Sequence, residues 1–420
     1  MKARPFTAAS ILALTLALPA SGQGFAAAAH SAAERTSAPI LAEFSAVDEA
    51  IREGIRTGTY PGAVVVVGRA DTILYSKGYG RFTWSPKADT PDPATTLWDL
   101  ASISKVVATT SAAAVLVDQG RLNLDASVHS YLPEFTGGGK DEVTVRMLLN
   151  HTSGLPPDAP LYREAHSPDE ALEYLYAVPL ARAPGVSPVY SDLNAILAGV
   201  IIEKISGKSL DAFADSVVFA PFGMVATGYR PPAADRTRAM PTSRYHGVPV
   251  AGIVNDQNAQ VFGGVAGHAG LFSTGLDLAR FAQSWMKDST AKSPWLAHGT
   301  LTEFLQRTPT SGTRALGWDT PNDPDSGKAS LFGRCATSTT IGHTGWTGTE
   351  LWLDPVQNMF VIFLTNRSYD PRAPKRSFLQ LGKIRAEVAD AARRALGLCA
   401  HLAVSTTAVP PTTIHTRRPQ

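Results

Sequence analysis

Cysteine is almost missing from this chain: Cys335 and Cys399 are the two among 420 residues. No group of Cys and His has metal-ligand spacing, which excludes the common zinc frameworks, and neither thiol resembles a catalytic one. We therefore expect no metal and no cofactor. Charge of one sign is equally scarce. The formal net charge is +2, with Arg and Lys scattered, so no basic stripe offers itself to nucleic acid or to an anionic membrane surface. Beyond the amino terminus, no apolar run is long enough to cross a bilayer. Phosphate cradles are missing too: Gly263 to Gly270 is glycine-rich but lacks the lysine and the strand-to-helix geometry, so its glycines read as close backbone approach near a cleft.

What is present is a globular composition, 44% hydrophobic and 18% charged, with length enough for one large domain or two intimately packed ones. Met1-Lys-Ala-Arg4 followed by the apolar stretch from Phe6 to Ala20 reads as an export signal, cleaved between Ser21 and Ala29; residues 1–29 are assigned to it. The alternative is an uncleaved anchor. The expected location is periplasmic or extracellular, where an oxidising environment permits a Cys335–Cys399 bridge; two inert buried thiols are the other possibility. Residues 401–420, rich in Thr and Pro, read as a disordered tail.

Periodicity organises the rest. Ile40 to Arg56 has a helical apolar face. Ala63 to Gly68 and Thr72 to Tyr79 are strand-like runs joined by Arg69-Ala-Asp71. Helical patterns then dominate: Val106 to Val117, Val143 to Asn150, Asp169 to Val178, Asp192 to Ile205, Leu210 to Val218 and Leu276 to Met286. Tyr229 to Asp256 reads as a long surface loop. Strand patterns return at Thr339 to Gly342, Glu350 to Leu353 and Met359 to Leu364, and a helix follows from Arg376 to Leu396. The fold class is α+β. Residues 41–98 and 315–398 form an antiparallel sheet flanked by the terminal helices, an α/β sandwich, with 99–314 inserted as a mainly α domain and a cleft between them.

The chemistry lies at that seam. Ser102 stands three residues before Lys105 at the head of a helix, and i,i+3 positions share a face, so hydroxyl and amine point into one space. A serine beside an amine able to lose its proton is an activated nucleophile. Ser-x-x-Lys recurs at Ser284-Trp-Met-Lys287 and Ser289-Thr-Ala-Lys292, which shows how weak it is alone. Tyr190-Ser-Asp192 is the single Tyr-x-Asn/Asp among 11 tyrosines, and His343-Thr-Gly345 occurs once. Their order along the chain makes a case for an acyl-transferring serine hydrolase. His151 and His268, lacking a metal partner at i+4, read as structural. Asp319 and Asp354 read as turn residues. Trp318, Trp346 and Trp352 could line an acyl pocket or serve as core.

The ordered set resembles the serine β-lactamase and penicillin-binding-protein superfamily, nearer its class C β-lactamases, secreted D-alanyl-D-alanine carboxypeptidases and β-lactamase-fold esterases. Leu148-Leu-Asn-His-Thr-Ser-Gly154, Gly263 to Ser273 and Gly345-Trp-Thr-Gly-Thr-Glu-Leu-Trp352 are similar to segments that recur there, and the resemblance spans roughly Leu41 to Leu398. It implies a metal-free acyl-enzyme mechanism on a small-molecule or muropeptide substrate, with no statement on oligomeric state. Ser102 attacks the carbonyl. Lys105, with a pKa lowered by burial, and Tyr190 share the proton relay. The backbone N–H groups of Ser102 and Trp346 form the oxyanion hole. Asp192, His343, Thr344 and Gly345 face the substrate. Two departures matter. His343 stands where most of the lactamases have lysine, and imidazole is mostly neutral at neutral pH. Asp192 stands where asparagine is usual; an ionised carboxylate cannot donate to a substrate amide, and it favours the ammonium form of Lys105. D-alanyl peptides or small carboxylic esters fit better than penicillins, with a β-lactamase or a silent peptidoglycan-binding module as alternatives.

Overall fold

A computed structural model describes residues 43–287, 295–322, 330–372 and 374–399. The expected leader (1–29), the expected tail (401–420), residues 40–42 of the first helix pattern and the Ser289-to-Lys292 motif lie outside the described residues. The first helix, α1, spans Ser45–Arg56 with Phe44 at its N-cap.

Two strands read as unbroken apolar runs, β1 (Gly62–Arg69) and the last strand of the chain, Met359–Thr365. A strand buried on both faces needs that composition. Around them lie β2 (Thr72–Gly80), β3 (Ile341–Thr344) and β4 (Glu350–Asp354), with Met359–Thr365 as β5. The order is β2-β1-β5-β4-β3, all antiparallel. Side-chain alternation divides β1 cleanly. Ala63, Val65 and Val67 face a cluster with Phe44, Val47 and Ile51 of α1 and with Leu381, Ile384 and Val388 of the terminal helix Pro374–Ala395. Val64 and Val66 face a second cluster with Leu100, Ile103 and Val106. The outer layer is thus the two terminal helices, and the inner layer is the helical block.

That block begins with one helical run, Ala101 to Asp118. It opens as a 3₁₀ turn (Ala101–Ile103), continues as a π-helical turn (Lys105–Thr110) and ends as α2 (Ser111–Asp118). By length and composition it could cross a membrane, but 83% of it is buried inside the protein; it is a core helix. Next to it lies α3 (Asp192–Ser206), closed by Gly207 at φ +71°, the left-handed C-terminal residue that glycine accommodates. A further helix, α4 (Gly275–Met286), contacts β1 and β5; we label the terminal helix Pro374–Ala395 α5.

The expected loop from Tyr229 to Asp256 is corrected. Ala233–Arg238 is a 3₁₀ turn, and Pro241–Tyr245 pairs with Val248–Ala251 across a two-residue turn. His246 (φ +47°) and Gly247 (φ +81°) both occupy positive φ, as a type I′ hairpin requires. The block also holds a small sheet in which Leu271–Ser273 pairs with Trp98–Asp99 and Gly228–Tyr229. Cys335 and Cys399 form a disulfide, with Cα atoms 5.2 Å apart. Trp318 and Trp352 are fully buried, which removes both from an acyl pocket; Trp346 is 61% exposed.

Candidate active site

The chain reaches Ser102 through a strained turn. Ala101 has φ +48°, unusual for a residue with a Cβ, and such strain persists only where neighbours over-determine it. Asp99 supplies that hold: its Oδ1 accepts from the Ala101 N–H at 2.9 Å and its Oδ2 from the Asn255 N–H at 2.7 Å. Burial pushes the Asp99 carboxyl up to about 6, with the two N–H groups acting against it.

A second segment, Gly267 to Leu271, runs alongside the nucleophile helix. Thr109 Oγ1 donates to Gly267 O at 2.7 Å, Lys105 Nζ donates to His268 O at 3.0 Å, and Ser104 Oγ accepts from the Leu271 N–H at 3.1 Å. Only glycine fits at 267, because a Cβ there would lie 1.9 Å from Ala195 O of α3. The glycine-rich segment is therefore a close-packed wedge between two helices. Its His268 ring is buried, with Nε2 2.8 Å from Asp256 Oδ1.

Lys105 is buried and its Nζ donates to Ser102 Oγ at 3.0 Å; the same nitrogen lies 2.6 Å from Asp192 Oδ1 and 5.0 Å from the centre of the Tyr190 ring. The expected lowering of the Lys105 pKa is corrected. Burial does push the ammonium down, but the Asp192 carboxylate and Tyr190 more than offset it, and the net shift is upward. Burial also raises the Tyr190 phenol, and Lys105 and Ser102 work against that rise. The Tyr190 hydroxyl is buried and makes no well-formed hydrogen bond. Ser102 itself is partly exposed.

Two imidazoles flank the phenol, His151 at 4.8 Å and His343 at 5.7 Å between ring centres. Burial, helped by the cations Arg314 and Lys105, holds both well below the ordinary histidine range, so both rings are neutral. His151 Nδ1 accepts from the Ser191 N–H at 3.2 Å and pairs with Asn194 Nδ2 at 3.2 Å. The His151 segment thereby fixes the start of α3, where Asp192 sits, and uses Asn194 internally. His343 Nδ1 lies 2.8 Å from Thr344 O, and its Nε2 is buried without a partner.

The Gly345–Thr349 turn lies against the nucleophile turn. Thr347 Oγ1 donates to Asp99 O at 2.7 Å and Thr349 Oγ1 to Leu100 O at 2.9 Å. A Cβ on Gly345 would lie 2.4 Å from Leu100 O, so glycine is what lets the two turns meet. The Ser102 and Trp346 amides thus lie on adjoining turns, and neither donates in the backbone–backbone bonds that the described turns and loops make.

Ser102, Lys105, Tyr190, Asp192, His343 and Thr344 are thus gathered at one seam. Sequence reasoning missed Arg314. Its guanidinium lies 5.1 Å from the Tyr190 ring centre, and its single acidic neighbour among the described residues, Asp319, is 3.6 Å away. Asp319 bridges to both Arg314 and Gly342, so Arg314 stands beside the His343 strand although no motif marks it. Among the described residues no cluster of His, Cys, Asp and Glu could hold a metal.

The Beta-lactamase family model matches residues 47–382. An N-acetylmuramyl-L-alanine amidase of Bacillus subtilis (strain 168) is 33% identical over 364 residues, 77% of this chain and 81% of that protein. A putative D-alanyl-D-alanine carboxypeptidase of Escherichia coli (strain K12) is 31% identical over 366 residues, 78% and 83%. The solved structure of EstCE1, a hydrolase with promiscuous acyltransferase activity, shares the fold at a TM-score of 0.66 and 20% identity, over 84% of this chain and 99% of its own.

Proposed function

The chain belongs to the Beta-lactamase family and is a serine hydrolase of that fold, and from that premise we propose that it cleaves D-alanyl peptides through an acyl-Ser102 intermediate. The observation that carries this reading is Lys105 Nζ, which touches both Ser102 Oγ and Asp192 beneath the Tyr190 ring. The Lys105–Tyr190 pair, one proton short of its resting form, accepts the proton of Ser102 as Oγ bonds to the carbonyl carbon. The developing oxyanion receives the N–H groups of Ser102 and Trp346; loss of one such donor typically costs about 3 kcal/mol of transition-state stabilisation. Collapse breaks the C–N bond, and the relay returns the proton to the leaving amine. Water then repeats the sequence on the acyl-enzyme.

The choice of substrate rests on charge. With His343 neutral, Arg314 is the cation placed to meet a substrate carboxylate, such as the free end of a D-alanyl peptide. Asp192, an acceptor, suits the amide of a peptide less than asparagine does and suits a penicillin no better. The bridge Cys335–Cys399 fits an exported protein, in keeping with the leader expected at residues 1–29. The test is D-alanine release from a diacetylated L-Lys-D-Ala-D-Ala tripeptide by the wild type and by Ser102→Ala. Release by the wild type alone is the expected result. If the wild type releases none yet hydrolyses p-nitrophenyl acetate through Ser102, the peptide assignment falls and an esterase remains.

A further inference from the structure

The turn that carries the Trp346 amide is held from the far side of the sheet. Arg385 projects from α5, the helix whose Leu381, Ile384 and Val388 pack in the outer layer. Its Nη2 donates to Thr349 O at 2.8 Å and to Gly345 O at 3.2 Å. Those two carbonyls are the ends of the turn, which also closes on itself: the Gly345 N–H donates to Thr349 O at 2.8 Å and the Gly348 N–H to Gly345 O at 3.1 Å. One guanidinium nitrogen therefore ties both chain crossings of the turn at once. The arginine is buried, and its Nε lies 3.3 Å from the wholly buried Glu350 carboxyl on β4, which burial pushes up to about 8 against the pull of Arg385. Two further donors act on the same turn. Arg367 Nη2 donates to Trp346 O with its guanidinium over the indole, and Thr365 Oγ1 donates to Gly348 O at 2.9 Å.

We propose that Arg385 is a positioning residue for the reaction: it fixes the Trp346 amide opposite the Ser102 amide and so sets the geometry of the oxyanion hole. The proposal rests on the acyl-Ser102 reading above. Its physical ground is that an oxyanion donor is effective only when aimed before charge develops, and errors of about 1 Å at such a site can cost roughly a hundredfold in rate. Lysine at this position lacks the planar fork, and it reaches two carbonyls and a carboxyl group less well. Substrate binding that does not involve the oxyanion is untouched, so the effect belongs to kcat and not to KM.

Removing Arg385 alone leaves the buried Glu350 carboxyl without its guanidinium neighbour, and a buried polar group left unpaired destabilises. The decisive variant is therefore the double Arg385→Met/Glu350→Met, which replaces both buried polar side chains by apolar ones of similar volume, together with Arg385→Lys. Hydrolysis of p-nitrophenyl acetate is measured per active site, with reactive serine counted by a fluorophosphonate. Both variants are expected to lose about ten- to a hundredfold in kcat per titrated serine, with KM within about twofold. A purely structural role would lower the number of titratable sites and leave kcat per site unchanged. Wild-type kcat per site in the double variant overturns the proposal while leaving the nucleophile intact. Undiminished hydrolysis by Ser102→Ala overturns the acyl-Ser102 reading and this proposal with it.

Discussion

Whether Lys105 is a base or a bystander is decided by its neighbour Asp192. Burial alone would favour the neutral amine, but a carboxylate 2.6 Å from Nζ reverses the sign and holds the ammonium. The base form therefore appears only as pH rises, and kcat/KM of the wild type is expected to climb from neutral into alkaline pH. In Asp192→Asn the larger upward push is gone, that of Tyr190 stays, and the desolvation remains. The ascending limb should then move to lower pH, because a neighbouring carboxylate no longer favours the ammonium. A pH–rate profile of the two proteins checks this, and superimposable profiles would remove Asp192 from the relay. At this scale the sequence was informative where chemistry is written locally. Ser102 and Lys105 are one helical turn apart, and Tyr190 and Asp192 lie within three residues, so their spacing carries the reading. Arg314 was illegible because its partners, Tyr190 and His343, come from segments far away in the chain. Arg385 looked like any cation on the polar side of a helix pattern.

Elements were legible where one period governs them. β1 and β5 are continuous apolar runs, and both their faces are buried, so composition and environment agree. The hairpin Pro241–Tyr245 to Val248–Ala251 was hidden for two reasons. Pro241 and Pro249 argue against strands, and its turn is His246-Gly247 where Asn-Gly is the recognised signal. The apolar pattern of the nucleophile helix does not show that its first turns are 3₁₀ and π, a departure that propensity does not encode and that often accompanies function. Gly267 belongs to this scale because it sets the spacing of two elements. Gly267→Ala places a Cβ 1.9 Å from Ala195 O and 3.2 Å from Gly199 N, both backbone atoms of α3. The segment must withdraw, taking His268 O away from Lys105 Nζ. We expect a loss of about 1–3 kcal/mol in unfolding free energy, the cost of overpacking a tight site, together with reduced kcat. Urea denaturation and p-nitrophenyl acetate turnover would show it; unchanged values in both would mean that the wedge is not tight.

Over the whole molecule, the sheet separates what stabilises from what reacts. Its outer layer joins the two ends of the chain through α1 and α5, and the disulfide Cys335–Cys399 adds a covalent tie to that layer across 64 residues of sequence. Closing a loop of that length restricts the unfolded chain by about 4 kcal/mol in the chain-entropy treatment. The folded geometry does not depend on it alone. The Cys335 N–H donates to Asp390 Oδ1 at 2.9 Å, Arg393 Nη1 to Phe332 O at 2.9 Å, and Gln357 Nε2 to Leu398 O at 3.1 Å. These hydrogen bonds hold the same segments to α5 and its end when the sulfurs are apart, while Ser102, Lys105 and Tyr190 lie in the inner layer. Cys335→Ser/Cys399→Ser is therefore expected to lower the thermal unfolding midpoint by several degrees or more and to leave kcat at 25 °C unchanged. Calorimetry with parallel assays separates the two effects. A variant that keeps its midpoint would show that the bridge adds nothing to stability, and one that loses kcat before it unfolds would show that the outer layer controls the site through more than Arg385.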